Sequence, residues 1–160
     1  QLKYAFIISF LLMLTVLALT ALARNNVWES KISLWEDVVK KSPNNALAHY
    51  NLGNSYKEKG MFDEAIEEYY NVLRLNPYHD KIFYNIGTSY LAKAQYESAI
   101  TFFKREIETD FKNGDAHLNL GYVYMKMGDL NKAREEFEIG LQMEPSNTAA
   151  RGYLDSVIKK

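Results

Sequence analysis

The chain has 160 residues, a formal net charge of −1, no cysteine and 48% hydrophobic residues. That length suits one compact domain. The near-neutral charge argues against a nucleic-acid binder, which needs a basic stripe, and the lack of cysteine removes disulfide frameworks and thiolate chemistry.

From the N-terminus, the first predicted element is Tyr4 to Ala23, a run of 20 residues without a charge, between Lys3 and Arg24. At about 1.5 Å per residue it would span roughly 30 Å, the depth of a bilayer's hydrocarbon core. Its apolar residues surround the whole helix, which calls for lipid or a deep core. The expectation is a transmembrane helix over residues 4–23. Ala21-Leu22-Ala23 also has the small-x-small form of a signal-peptidase site, so a cleaved signal is the rival reading. With either a signal or a single N-in anchor, the repeats described next would lie on the extracytoplasmic (periplasmic or lumenal) side. After Asn25 the chain holds 17 basic and 20 acidic residues, a net −3, so the two regions suit different solvents.

Residues 25–45 predict one helix, Trp28 to Ser42, stopped by Pro43. Three units of 34 residues follow, over 46–79, 80–113 and 114–147. Five columns keep that step: Gly53, Gly87, Gly121; Ala65, Ala99, Ala133; Tyr56, Tyr90, Tyr124; Asn51, Asn85, Asn119; and Tyr69, Phe103, Phe137. In each unit the apolar helical period breaks near Lys59-Gly60, Lys93-Ala94 or Met127-Gly128 and then resumes, which predicts two antiparallel helices joined by a tight turn. The glycine and alanine columns would face each other across the pair. Tyr56 with Tyr69, Tyr90 with Phe103 and Tyr124 with Phe137 would fill the space beside them. Trp35 stands one period before Tyr69, so the first helix would cover the open face of the first unit. Residues 148–160 predict a final helix, Ala149 to Ile158, opened by Ser146 or Asn147 and serving as a solvating cap.

The words Asn51-Leu52-Gly53-x-x-Tyr56, Asn85-Ile86-Gly87-x-x-Tyr90 and Asn119-Leu120-Gly121-x-x-Tyr124, with alanine, an aromatic and then proline downstream, resemble the tetratricopeptide-repeat (TPR) family. Phe111 stands in the proline column, Glu106 where a small residue is usual, and His49 and His117 where the first aromatic is usual. The resemblance implies an all-α, right-handed solenoid of about three repeats plus flanking helices, here preceded by one transmembrane helix. It implies a concave groove lined by Leu47, Tyr50, Asn51, Asn54 and Lys57; by Lys81, Tyr84, Asn85, Thr88 and Leu91; and by Asp115, Leu118, Asn119, Tyr122 and Met125.

The asparagine column resembles the peptide-binding groove of O-GlcNAc transferases. A side-chain amide carries both donor and acceptor and can match an extended backbone. It can equally bond a neighbouring helix and fix repeat stacking. Tyr50, Tyr84 and Tyr122 would add amphipathic contact area or pack between helices. TPR domains that grip chaperone C-termini set Lys and Arg beside these asparagines. Here Leu47, Lys81 and Asp115 fill the second position, so that carboxylate clamp is absent.

No catalytic constellation, cofactor motif or metal-ligand spacing is found, and no small-molecule substrate is evident. His49 and His117 read as packing residues, and Glu67-Glu68, Arg134-Glu135-Glu136 and Lys159-Lys160 as solvated helix faces. The expected function is a membrane-anchored interaction module. Its partners would be a protein or extended peptide in the groove and a lipid bilayer through residues 4–23. The stretch Arg24-Asn25-Asn26-Val27-Trp28, then Leu34-Trp35, Lys41-Ser42-Pro43-Asn44 and His49-Tyr50-Asn51-Leu52-Gly53, is similar to the last membrane helix and first repeats of TPR-containing membrane O-mannosyltransferases and their bacterial relatives. That similarity implies an alternative, the substrate-presenting repeat region of a multi-spanning glycosyltransferase. Gln1 as first residue agrees with a piece of such a protein.

Overall fold

The computed structural model describes residues 9–10, 12–17 and 31–159. The expected membrane span over 4–23 lies largely outside these residues, and Trp28 lies wholly outside them. Residues 9–10 and 12–17 are helical, and their Phe10, Leu12, Met13, Leu14, Val16 and Leu17 are exposed. Among the described residues no helix is long and apolar enough to cross a membrane.

Between Lys31 and Ile158 the chain forms eight helices: α1 (Lys31–Lys41), α2 (Ala46–Glu58), α3 (Phe62–Leu75), α4 (Ile82–Ala92), α5 (Tyr96–Thr109), α6 (Gly114–Met127), α7 (Leu130–Met143) and α8 (Thr148–Ile158). No strand is present among the described residues. Asparagine starts α2, α6 and α8: the side chains of Asn45, Asn113 and Asn147 accept from the amides of Ala48, Ala116 and Ala150 at 3.2, 3.1 and 3.0 Å. The turn inside each repeat needs a left-handed residue. Gly60 and Gly128 supply it at φ 77° and 84°, whereas the middle repeat puts Ala94 there at φ 55°.

Each repeat closes by laying a ring on bare backbone. A Cβ added to Gly53 would stand 2.7 Å from the Tyr69 ring, one on Gly87 2.8 Å from Phe103, and one on Gly121 2.9 Å from Phe137. The three rings and Ala65, Ala99 and Ala133 beside them are fully buried. The tyrosine column packs beside these contacts as expected: Tyr56 against the cluster of Ala65 and Tyr69, Tyr90 against that of Ala99 and Phe103, and Tyr124 in one cluster with Ala133 and Phe137. The Tyr56 hydroxyl also donates to Glu36 of α1 at 2.7 Å, and the Tyr90 ring stacks on Phe102 with centroids 5.5 Å apart. The core has two clusters, one around Tyr69, Ile82, Ile86 and Phe102, the other around Phe103, Leu120, Phe137 and Val157. Helix α5 feeds both, Phe102 to one side and Ala99 and Phe103 to the other. At the ends, α1 has no buried residue, while α8 buries Ala150 and Val157 and stacks Tyr153 on Phe137 at 5.9 Å.

His49 and His117 are buried packing residues, but their partners are acidic. His49 Nδ1 lies 2.5 Å from Glu68 Oε2, and its Nε2 lies 2.9 Å from the Pro43 carbonyl oxygen, where that nitrogen must be the donor. His117 Nδ1 lies 2.7 Å from Glu136 Oε2. Glu68 and Glu136 are therefore not solvated faces. Each ties the second helix of its repeat to the first. The middle repeat puts Phe83 and Phe102 at the same two positions, with ring centroids 6.4 Å apart and planes at 28°. One site thus accepts either a hydrogen-bonded polar pair or an aromatic pair. Glu68→Leu should leave His49 Nδ1 without its partner and lower stability by about 1–3 kcal/mol. The double change His49→Phe with Glu68→Phe should recover most of that loss, because replacing both partners avoids the orphaned group. Urea denaturation of the three proteins checks this, and a double variant weaker than the single one would contradict it.

Candidate functional site

The first helices of the repeats, α2, α4 and α6, are joined by side-chain hydrogen bonds. Asn85 Nδ2 donates to the Tyr50 hydroxyl at 3.3 Å, and Asn119 Nδ2 donates to the Tyr84 hydroxyl at 3.2 Å. Asn85 is only 6% exposed, and its Oδ1 accepts from Lys57 Nζ at 2.6 Å. Both ends of that amide are engaged inside the protein. The expectation that Asn85 offers itself to a bound chain is thereby corrected: it fastens the second repeat to the first, because a buried amide must find its partners within the fold. Burial also holds the Lys57 ammonium below its usual range. Asn54 Oδ1 accepts from the Tyr69 hydroxyl at 2.8 Å, and the Thr88 hydroxyl donates to the Asn85 carbonyl oxygen at 3.0 Å. These two residues also serve the frame.

Other members of the set remain open. Asn51 is half-buried and makes no side-chain hydrogen bond among the described residues. The preceding position at the same offset is Val16, which has no hydroxyl. Asn119 donates its amide to Asp115 O at 2.9 Å as well as to Tyr84, so its own carbonyl oxygen remains an acceptor. Tyr50, Tyr84 and Tyr122 are half-buried, and Lys81 is exposed. At the C-terminal end, between α6 and α8, a cavity of about 260 Å³ is lined by Asp115, Leu118, Asn119, Tyr122 and Tyr153 among others. Every buried side-chain nitrogen and oxygen among the described residues has a partner. Any ligand must therefore be read by these partly exposed groups. No group of His, Asp or Glu among the described residues is placed to hold a metal ion.

One structural residue was not legible as such in the sequence. The capping asparagine column reads Asn45, His79, Asn113, Asn147, and the odd member coincides with a late start of α4 at Ile82. Lys81 precedes that helix at φ 56° with no side-chain cap. The missing acceptor comes from α5. Glu106 Oε2 accepts the Tyr84 amide at 3.0 Å, and Glu106 Oε1 accepts Asn113 Nδ2 at 2.8 Å. Glu106 is 2% exposed. A large acid in a small-residue column opposite a non-capping histidine was the available signal. Burial pushes this carboxyl above its usual range, and the two N–H donors pull it back only in part.

These features define a helical-repeat scaffold, and the chain belongs to the tetratricopeptide-repeat family. The description "Tetratricopeptide repeat" matches residues 46–79 and again 90–154. Human protein O-mannosyl-transferase TMTC1 is 36% identical over 63 residues, which are 39% of this chain and 7% of that protein. The mouse counterpart is 36% identical over 61 residues, 38% of this chain and 6% of that protein. The chain thus spans a small fraction of these curated relatives. Among solved structures, MamA superposes with TM-score 0.71 at 27% identity, over 80% of this chain and 81% of that one. The second TPR domain of human RPAP3, solved with the HSP70 peptide SGPTIEEVD, does so with TM-score 0.67 at 28% identity, over 72% of this chain and 96% of that one. Repeat domains of this family are typically non-catalytic interaction modules.

The Glu106 geometry has a pH signature. A carboxyl whose native pKa is raised holds its proton longer in the folded than in the unfolded chain. Stability from this group is therefore present below the unfolded value, about 4.3, and is lost as pH rises through the raised native value. Glu106→Gln removes that dependence. Its stability relative to wild type should rise between about pH 4 and pH 7. Denaturation of both proteins across that range measures it, and parallel profiles would contradict the desolvation of Glu106.

Proposed function

We propose that this chain is a repeat module that takes an extended segment of a partner protein along the groove of α2, α4 and α6, at the extracytoplasmic face of a membrane. The observation that carries this reading is the division of labour among the groove residues. Asn85 is consumed by the frame, while Asn51, the Asn119 carbonyl oxygen and the tyrosine edges are still accessible. Half-buried amides beside aromatic rings suit a chain whose own N–H and C=O groups need partners and whose side chains need apolar contact. A TPR domain of human RPAP3, 28% identical, has been solved with a peptide, which supports the same use of the fold here. The charge-free run over residues 4–23 motivates the membrane placement.

A second reading concerns the parent protein. The 36% identity to protein O-mannosyl-transferase TMTC1 favours a role as the substrate-presenting repeats of a multi-spanning membrane glycosyltransferase. The chemistry would then lie outside this chain, and the groove would hold the acceptor polypeptide. Both readings use the same groove.

The groove is tested by separating its two kinds of asparagine. With the full chain in detergent micelles and a labelled library of blocked, unstructured peptides, Asn51→Ala with Tyr122→Ala should weaken binding roughly 5- to 100-fold, about 0.5–1.5 kcal/mol for each lost contact, with little change in melting temperature. Asn85→Ala should lower the melting temperature first. Unchanged binding in a folded Asn51→Ala, Tyr122→Ala variant would contradict the reading.

A further inference from the structure

The cavity between α6 and α8 is chemically unlike the rest of the groove. Its volume of about 260 Å³ is below the roughly 300–1,000 Å³ usual for small-molecule sites, and fits one long side chain. Leu91, Leu118 and Ala150 give it an apolar wall. Tyr122 and Tyr153 form another wall, with ring centroids 5.3 Å apart and planes at 53°. Asp115 is the one charged residue lining it. This carboxylate is exposed and makes no ion pair among the described residues, with Lys81 or any other cation. Asp115 lies in the first turn of α6. Glu144 adds to the same field. The Tyr84 hydroxyl is pushed up first by burial, then by Asp115, with Glu144 contributing. One turn beyond Tyr122, the solvated Lys126 Nζ lies 5.1 Å from that ring's centroid, so a ring of this wall already receives a cation.

These features discriminate among occupants. An acidic side chain would face Asp115 and Glu144. A leucine would fill the apolar wall but would desolvate Asp115 without pairing it. A lysine or arginine lays its methylene stem on Leu91 and Leu118, places its charge near the tyrosine faces and reaches the carboxylate at the rim. Resting on the groove as a peptide site, we propose that this cavity seats a lysine or arginine of the extended partner segment, with Asp115 as its counter-charge. The preference is opposite in sign to the acidic peptide SGPTIEEVD held by the RPAP3 domain.

The probe is an array of short peptides, acetylated and amidated, in which one position at a time is fixed as Lys, Arg, Gln, Leu or Glu on a randomised background. Binding is measured to the full chain in detergent micelles. One register should favour Lys and Arg over Gln about tenfold near 0.1 M salt, and the preference should shrink as salt shortens the screening length. Asp115→Asn should abolish the preference, and Asp115→Lys should turn it toward Glu, with the circular dichroism of both variants unchanged. A Lys or Arg preference that survives Asp115→Lys, or a wild-type preference for Leu or Glu in every register, overturns the cavity proposal and leaves the groove standing. An array with no binding in any register overturns the groove reading, and this proposal with it.

Discussion

In every repeat a ring from the second helix lies against the bare Cα of a glycine in the first, and in the outer two the carbonyl oxygen of Ala65 or Ala133 completes the contact. Tyr69 on Gly53, Phe103 on Gly87 and Phe137 on Gly121 leave less than 3 Å for a Cβ. This approach sets the spacing of each helix pair, and so which side chains are left to face the next repeat. Two other groups add to the same closure. His49 with Glu68 and His117 with Glu136 tie the pair in the outer repeats, where Phe83 and Phe102 do so by stacking in the middle one. Because each repeat contacts mainly its neighbours, these local closures sum along the chain.

Stacking of one repeat on the next uses polar groups that the groove would otherwise present. The Tyr50–Asn85 and Tyr84–Asn119 bonds cross between first helices, and Lys57 completes the acceptor side of Asn85. At both ends of the array this pattern changes. Asn51 has no tyrosine before it. At the far end the offset from Leu118 falls on Tyr153, so a ring pair and a cavity replace the hydrogen bond. The frame therefore consumes polarity in its centre and releases it at its ends. The two ends differ in chemistry, an amide with no partner among the described residues at one and an acid beside two tyrosines at the other.

The fold was readable in the sequence because close packing restricts residue size, and size restrictions repeat at the period of the structure. The glycine, alanine and aromatic columns carry that constraint directly. The partners of polar side chains were less legible. A column of asparagines at a 34-residue step places them on one face, but it does not say whether a tyrosine 35 residues earlier has already taken the amide. Glu68 and Glu136 look like solvated charges until the histidines of their own repeats are set beside them in space. Glu106 could be read only as an oddity, because its role depends on the helix start that His79 fails to cap, in a different part of the repeat. Size patterns are local in sequence, whereas satisfaction of a buried polar group is settled in three dimensions.

The helix spacing depends most on the contact of Gly87 with Phe103, and a change of sign tests it. In a helix with space around it, Gly→Ala stabilises by about 0.5–1 kcal/mol. Gly152 in α8 has nothing within 4 Å of an added Cβ and serves as the control. Gly87→Ala should instead destabilise by about 1–3 kcal/mol, since the methyl would have to displace a buried ring. Helix-resolved hydrogen exchange should show α4 and α5 opening first, with the repeats on either side losing their shared transition. A Gly87→Ala protein that gains stability as Gly152→Ala does, with unchanged protection in α4 and α5, would show that the Phe103 ring does not set the spacing of the pair.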